Sequence, residues 1–498
     1  MSRRLTGLLA AAALLASGTA ALAQPTGPAA ALTKVERSLL QPGTFHAFVQ
    51  LDRPVRGSDT AALRALGVTQ LRAFRYVNAI AVVAPSAVLQ KAAALPGVTA
   101  VIRDNGLHLD LDKSKAAIKV PQARAKAPKG LGLTGKGVTV AVIDSGLDDS
   151  HPDFAGRVKG TFNFEAAWAY DAYQDGSISN EVAEGTGRYA AVDEIGHGTH
   201  VASTIGGSGA AAKLGAGTGA DYSGVAPEVQ FVGLKVASAA QGVAYDFGWE
   251  ANTMAAIEYL MEHNKQLGVS IVHNSWGIFE VDDPDSEPVI QMVRAAVNSG
   301  LIFVFSAGNS GPDKHTVGWP GAMGNVITVG STLKTAPYAM SSFSSRGPQV
   351  DLTAPGSNIV AARSKGAVID VQNGATPPQD RPFYMAISGT SMSSPHVSGV
   401  VALLKQAYPK LTGRVAEEVL ERTSVDLGAT GKDDDYGWGF VDAFRAGQVA
   451  ACLNRTAVAK REACFTAVRA LPRARWTSDW DTKGDEAPTA NQSLPLPV

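Results

Sequence analysis

Cysteine is almost missing from this sequence of 498 residues, which has only Cys452 and Cys464. Both lie near the carboxyl end, far from the histidines in the middle of the chain, and no HExxH pattern occurs, so a zinc site has little to build on. Charge is also sparse. Asp, Glu, Lys and Arg make up 18% of residues and nearly cancel, for a formal net charge of −1. That gives no electrostatic reason to expect nucleic acid or an anionic membrane as a partner. Beyond the amino-terminal residues, no stretch is long and apolar enough to span a bilayer. Glycine is plentiful at 52 residues, and 45% of residues are hydrophobic. This balance suits a large core carrying many loops, and the length predicts two or three structural units.

The amino-terminal 23 residues have two early arginines, an apolar stretch and the small-residue site Ala21-Leu22-Ala23. They predict a cleavable export signal rather than a membrane anchor, and hence an extracellular or periplasmic location. From residue 24 to about 42 the chain is rich in Ala, Pro, Thr and Gly, as a flexible lead would be. Strand patterns follow at 45–51, 68–84 (two strands) and 97–104, with helix patterns at 60–67 and 86–95. That β-α-β-β-α-β order predicts a ferredoxin-like unit. For the two cysteines, an oxidising compartment favours a disulfide, with two free thiols as the alternative. Twelve residues of straight helix would hold them about 18 Å apart, so a bridge requires a turn, for which residues 454–456 are suited.

Residues 385–401 read MAISGTSMSSPHVSGVV. A strand-like run stops at Ser388-Gly389-Thr390 and a small-residue helix pattern begins at Met392, which places Ser391 at a strand-to-helix turn. Unpaired N–H groups and the positive dipole end there favour a developing oxyanion. A serine needs a base and an orienting acid. The β-branched run 138–143 delivers Asp144 to a strand end, and GHGTHVAS (196–203) sets His197 between two glycines at a helix start. The histidines His200 and His396 share these helices and are expected to be packed rather than ligating. Strand and helix patterns alternate from 138 to 404, which predicts a doubly wound α/β domain with a mostly parallel sheet and its site at the strand carboxyl ends.

Three motifs in the order Asp, His, Ser, continued by SGVAPEVQFVGLKV, HNSWG, VFSAGNSGP, TVGWPG, SSFSSRGP, DLTAPGSNI and DYGWGFVDA, make this chain resemble the secreted subtilisin-like serine proteases, the subtilases. The resemblance covers about residues 44–447. It implies a serine endopeptidase with Asp144, His197 and Ser391 as the triad and Asn309 as an oxyanion donor. It implies a primary specificity pocket walled by Ser275, Trp276 and Gly277 and by Ser306, Ala307 and Gly308, with Gly318 at its base. With no acid in these segments, large apolar residues are expected before the scissile bond.

The resemblance also makes residues 24–112 an inhibitory propeptide with the ferredoxin-like unit inside it, residues 113–450 the catalytic domain and residues 451–498 an extension. Self-processing is expected between Leu107 and Lys119. The expected partners are protein and peptide substrates and the chain's own propeptide, acting on a monomer. No cofactor is required for the chemistry. Structural calcium has one candidate ligand, Asp153, while the Gly- and Ala-rich 206–220 replaces the family's usual companion loop. The competing readings are a catalytically silent binding protein on the same scaffold, which all four intact catalytic positions disfavour, and an esterase or peptide ligase. The absence of a GxSxG elbow at Ser391 argues against a lipase-type fold.

Overall fold

The computed structural model describes residues 34–35, 37–68, 70–73, 78–103, 112–164, 183–184, 191–214, 221–240, 243–246, 250–278, 281, 283–365, 367, 369 and 382–478. The signal-peptide reading and most of the flexible lead lie outside them, as do the residues just before Asp112, much of the stretch between Asp144 and His197, and the end of the carboxyl-terminal extension. Contacts divide the chain into two units, Met1–Gly106 and Leu107–Val498.

The first unit runs β1 (Thr44–Leu51), α1 (Gly57–Ala65), β2 (Gln70–Ala73), β3 (Ala79–Pro85), α2 (Ser86–Ala92) and β4 (Val98–Arg103). The element order is the one read from the sequence, and the strands form an antiparallel sheet in the order β2-β3-β1-β4. Every second residue of β1 (Ala47, Val49, Leu51) and of β3 (Ile80, Val82, Ala84) is buried, in one cluster with Leu63 of α1 and Leu89 of α2. A one-residue slip of register would turn that set to solvent, so the alternation specifies the pairing.

The second unit begins with two short helices, α3 (Asp112–Ala117) and α4 (Val120–Arg124). Seven parallel strands follow: β5 (Thr139–Asp144), β6 (Val158–Asn163), β7 (Gln230–Lys235), β8 (Val269–Asn274), β9 (Ile302–Ser306), β10 (Ile327–Thr332) and β11 (Leu352–Pro355). They lie in the order β11-β10-β9-β8-β5-β7-β6, with the two-residue Ala183–Glu184 antiparallel at the β6 edge. From β5 the chain builds one way through β7 and β6, then resumes on the other side with β8. The switch point therefore falls between β5 and β8, where doubly wound sheets open a crevice at the strand carboxyl ends.

Strand β5 shows why its sequence is continuously apolar. Val140 and Val142 belong to the core on one face of the sheet, and Ala141 and Ile143 to the core on the other. Helices α5 (His197–Gly206) and α8 (Thr390–Ala407) cover the first face, and α6 (Glu250–Leu267) and α7 (Pro288–Asn298) the second. Helix α8 is buried at every position from Thr390 to Leu404, which explains its run of serine, glycine and alanine. The strand that leads into it is not part of the main sheet. β12 (Ile359–Ala362) and β13 (Tyr384–Ile387) form a separate antiparallel ribbon, tied to α5 by the Ala362 N–H donating to Ser203 Oγ (3.0 Å) and by His200 Nε2 against the Ile359 carbonyl (2.8 Å).

The carboxyl-terminal extension docks on this unit as far as it is described. After α9 (Gly413–Thr423) and α10 (Ala443–Leu453), the chain turns and α11 (Arg461–Ala467) returns, and a disulfide joins Cys452 and Cys464 with Cα atoms 5.7 Å apart. The buried Arg422 anchors the return. It bonds Glu418 (2.7 Å), Glu462 (2.5 Å) and the Leu471 carbonyl (2.9 Å), and its guanidinium stacks 3.7 Å over Phe465. Among the described residues no helix is long and apolar enough to cross a membrane.

Candidate active site

Asp144 ends β5 at the switch point, and its Oδ1 lies 2.7 Å from His197 Nδ1, the first residue of α5. Two glycines make this approach possible. Gly196 takes a left-handed φ of 92°, and a Cβ on Gly198 would stand 2.2 Å from the Gly146 carbonyl and 3.1 Å from Asp144 Cβ. Burial opposes the charged imidazolium, but the charge and hydrogen bond of Asp144, with a smaller contribution from Asp193, outweigh it and lift His197 above the ordinary 6.5. For Asp144, burial pushes upward, while His197 and the Ser145 N–H win and hold it below the ordinary carboxyl value. The His197 side chain remains 14% exposed, so a substrate can reach it.

Behind this pair stands a second buried carboxylate that the sequence reading did not single out. Asp193 accepts from Ser145 Oγ (2.7 Å) and the Gly196 N–H (2.8 Å) on Oδ1, and from the Thr199 N–H (2.7 Å) on Oδ2. It thereby caps the first turn of α5 and links the loop after Asp144 to the base. The signal was present, since an acid just before a helix start is a capping pattern. Burial lifts the Asp193 carboxyl above its ordinary value, against those donors. Buried Lys235 closes this side, donating to the Ser145 carbonyl (2.7 Å), Glu194 (2.9 Å) and the Ala237 carbonyl (2.7 Å).

Ser391 is the second residue of α8, among the N–H groups that have no helical acceptor. Its hydroxyl donates to the Ser275 carbonyl at 3.2 Å, and Ser275 Oγ donates to the Ser391 carbonyl at 3.0 Å. Asn309 stands beside it. Its Oδ1 accepts from both the N–H and the hydroxyl of Thr390, each at 2.9 Å, which fixes the amide and leaves the NH₂ as its outward group. A pinned side-chain donor next to a free helix N–H is the arrangement that can hold an oxyanion.

Hydrogen bonds join the segments expected to wall the primary pocket. Ile278 and Trp319 exchange N–H···O bonds of 2.7 and 2.9 Å, the Gly318 N–H meets the Ala307 carbonyl at 3.1 Å, and the Gly308 N–H meets Thr390 Oγ1 at 3.2 Å. Residues 275–278, 306–308 and 318–319 are thus one construction. The Trp276 ring packs edge-on against Phe305, 5.3 Å between centroids, within the core on the α6 and α7 face.

His200 and His396 are buried and hydrogen bonded. Burial pushes the first down to about 3, and the second, bonded to the Met392 carbonyl and Ser114 Oγ, to about 4. The calcium candidate Asp153 is fully buried, and protein donors occupy it: the Ala211 N–H at 2.9 Å on Oδ1, and the Tyr384 hydroxyl 3.1 Å from each oxygen. A different acidic group, Asp351, Glu417 and Glu421, brings one carboxylate oxygen from each within 4.8 Å of the others. It is compensated in place. Lys432 lies 3.8 Å from Asp351, Trp476 donates to Glu421 at 2.6 Å, and burial together with Glu417 and Asp351 raises Glu421 well above the ordinary carboxyl value.

Comparison with known proteins places the chain in a family. The profile described as the subtilase family matches residues 135–439. Serine protease AprX of Bacillus subtilis (strain 168) is 33% identical over 346 residues, 66% of this chain and 70% of its own length. Subtilisin E of the same organism is 31% identical over 377 residues, 75% of this chain and 82% of its own. Among solved structures, Sphericase aligns at 26% identity over 62% of this chain and 92% of its own, with a TM-score of 0.49. The extent of the family match and of these relatives shows that the chain belongs to the subtilase family and is a serine endopeptidase.

Proposed function

We propose that this exported endopeptidase cleaves peptide bonds through an acyl-enzyme on Ser391. The observation that carries the reading is the 2.7 Å contact of His197 Nδ1 with a buried, ionised Asp144. With Nδ1 turned to Asp144, Nε2 is the ring nitrogen that acts as the base. On attack, Ser391 Oγ bonds to the substrate carbonyl carbon and its proton passes to His197 Nε2, after the hydroxyl swings away from the Ser275 carbonyl. The Asn309 NH₂ and the Ser391 N–H take the oxyanion. The imidazolium then protonates the leaving amine, and water reverses the steps to free the acid. Chemistry of this kind needs no cofactor.

The glycine at 318 and the acid-free walls support a preference for Phe, Tyr and Leu before the scissile bond, each burial contributing about 1.5 to 3 kcal/mol. Gly318→Asp should admit Lys and Arg there, measured as kcat/KM on peptides that differ only at that position. Wild-type cleavage of Arg or Glu at least ten times better than Phe or Leu would overturn the pocket assignment.

The amino-terminal unit acts on this reading as an inhibitory propeptide, removed by self-cleavage after Leu109 or Leu111. Support for a cut ahead of α3 comes from the residues that follow. Ser114, Lys115 and Ile118 are buried in the second unit, and Lys115 Nζ donates to the Asp221 carbonyl (2.8 Å) and Ser223 Oγ (3.1 Å). A tagged serine-acylating phosphonate should label the wild type and not Ser391→Ala, and the latter should accumulate precursor. Active enzyme whose amino terminus precedes Phe45 would refute the processing scheme.

A further inference from the structure

His273 is a buried histidine that the reaction above leaves unused. It lies near the end of β8, opposite Val142 in the β5 register, with no accessible surface. Its Nδ1 is 2.8 Å from Ser398 Oγ on α8, and its Nε2 is 2.7 Å from Ser275 Oγ. The far end of this chain decides where the protons lie. Ser275 Oγ is 3.0 Å from the Ser391 carbonyl oxygen, an atom that can only accept, so the single Ser275 proton is committed there. Ser275 Oγ therefore faces His273 as an acceptor, and the ring proton sits on Nε2. The bare Nδ1 then accepts from the Ser398 hydroxyl. Ser394 Oγ, 3.2 Å from Ser275 Oγ, can join only as a second donor to that oxygen. Burial, set against Asp144 and reinforced by His197, pushes His273 down to about 3, so the ring stays neutral and the direction does not reverse in the neutral range.

We propose that His273 is a positioning residue for the nucleophile. By donating from Nε2 it commits the Ser275 hydroxyl to the Ser391 carbonyl, which holds the peptide after Ser391 and so the directions of Ser391 Oγ and N–H. Ser275 bears on Ser391 twice, through its hydroxyl and through its carbonyl, so a loose Ser275 would loosen both. The inference rests on Ser391 being the nucleophile.

The first test reads the wild-type ring by spectroscopy. Histidine-selective ¹⁵N NMR of the full chain, with His273 assigned by its loss in His273→Gln, should show the Nε2–H tautomer, unchanged from about pH 5 to 9. An Nδ1–H tautomer would overturn the proposal whatever the kinetics of the variants. The second test is kinetic. His273→Ala should lower kcat about 10- to 100-fold with KM within about twofold, as small misplacements of reacting groups do. His273→Gln, whose amide can donate to Ser275 and accept from Ser398, should recover most of it. A folded His273→Ala with kcat within twofold of wild type would sink the idea and leave the nucleophile assignment standing. Hydrolysis by Ser391→Ala would instead sink the assignment.

Discussion

The two halves of the site are held by different physics. On the β5 and α5 side, Asp144, Asp193 and His197 are ionisable, and burial, hydrogen bonds and the charges of Asp144 and His197 set their states. On the β8 and α8 side, His273, Ser275, Thr390, Asn309 and Ser391 carry neutral hydroxyls, an amide and an uncharged ring, oriented by bonds of His273 to Ser275, Ser275 to Ser391 and Thr390 to Asn309. One half supplies a proton affinity, and the other supplies a direction. A change in the first should therefore appear in pH dependence, and a change in the second in turnover at every pH.

The largest test of that division crosses it. His197→Ala and Ser391→Ala should each lower amide hydrolysis by several orders of magnitude, and the double variant should lose little more than either alone, because base and nucleophile act as a unit. Additive losses, measured as kcat at saturating peptide, would mean that the halves work independently. Next is Asp144→Asn, expected to cost about 10⁴ in kcat through the wrong ring tautomer. A drop below tenfold would remove Asp144 from the triad.

Smaller effects separate the halves more sharply. Asn309→Ala should cost about 10² to 10³ in kcat with KM and the pH profile unmoved, since its donor strengthens in the transition state. A shifted pH limb would contradict its neutral, geometric role. Asp193→Asn is the counterpart on the charged side. The base must be neutral to act, so kcat/KM falls as pH drops through the His197 pKa, which lies above 6.5. Asp193 helps to raise that pKa, so removing its charge should move the acid limb to lower pH. A limb that stays in place, measured from about pH 5 to 9, would show that Asp193 only caps α5.

Much of the site was legible because its cues are local. A β-branched run ending in Asp144 and glycines on both sides of His197 are readable within a few residues, and so is a small-residue helix after Ser391. Asn309, Ser275 and Gly318 came through resemblance instead. The backbone bonds that join their segments connect positions up to 41 residues apart, as between Ile278 and Trp319. Asp153 shows the opposite limit. A carboxylate after a turn reads as a ligand until its neighbours are known, and here Ala211 and Tyr384 fill its oxygens from 58 and 231 positions away. The Cys452–Cys464 bridge was open for a similar reason, since spacing cannot say whether the intervening chain turns back.

By itself the sequence determined the alternation of strands and helices, the two-sided burial of the central strands, the β-α-β-β-α-β order of the first unit and the family. Periodicity and turn chemistry are written into consecutive residues. Only the tertiary structure decided that the strand before Ser391 pairs in a separate ribbon, that the extension docks through Arg422, and that Asp193 and His273 face the site. Those outcomes depend on hydrogen-bond partners and close packing between residues distant in the chain.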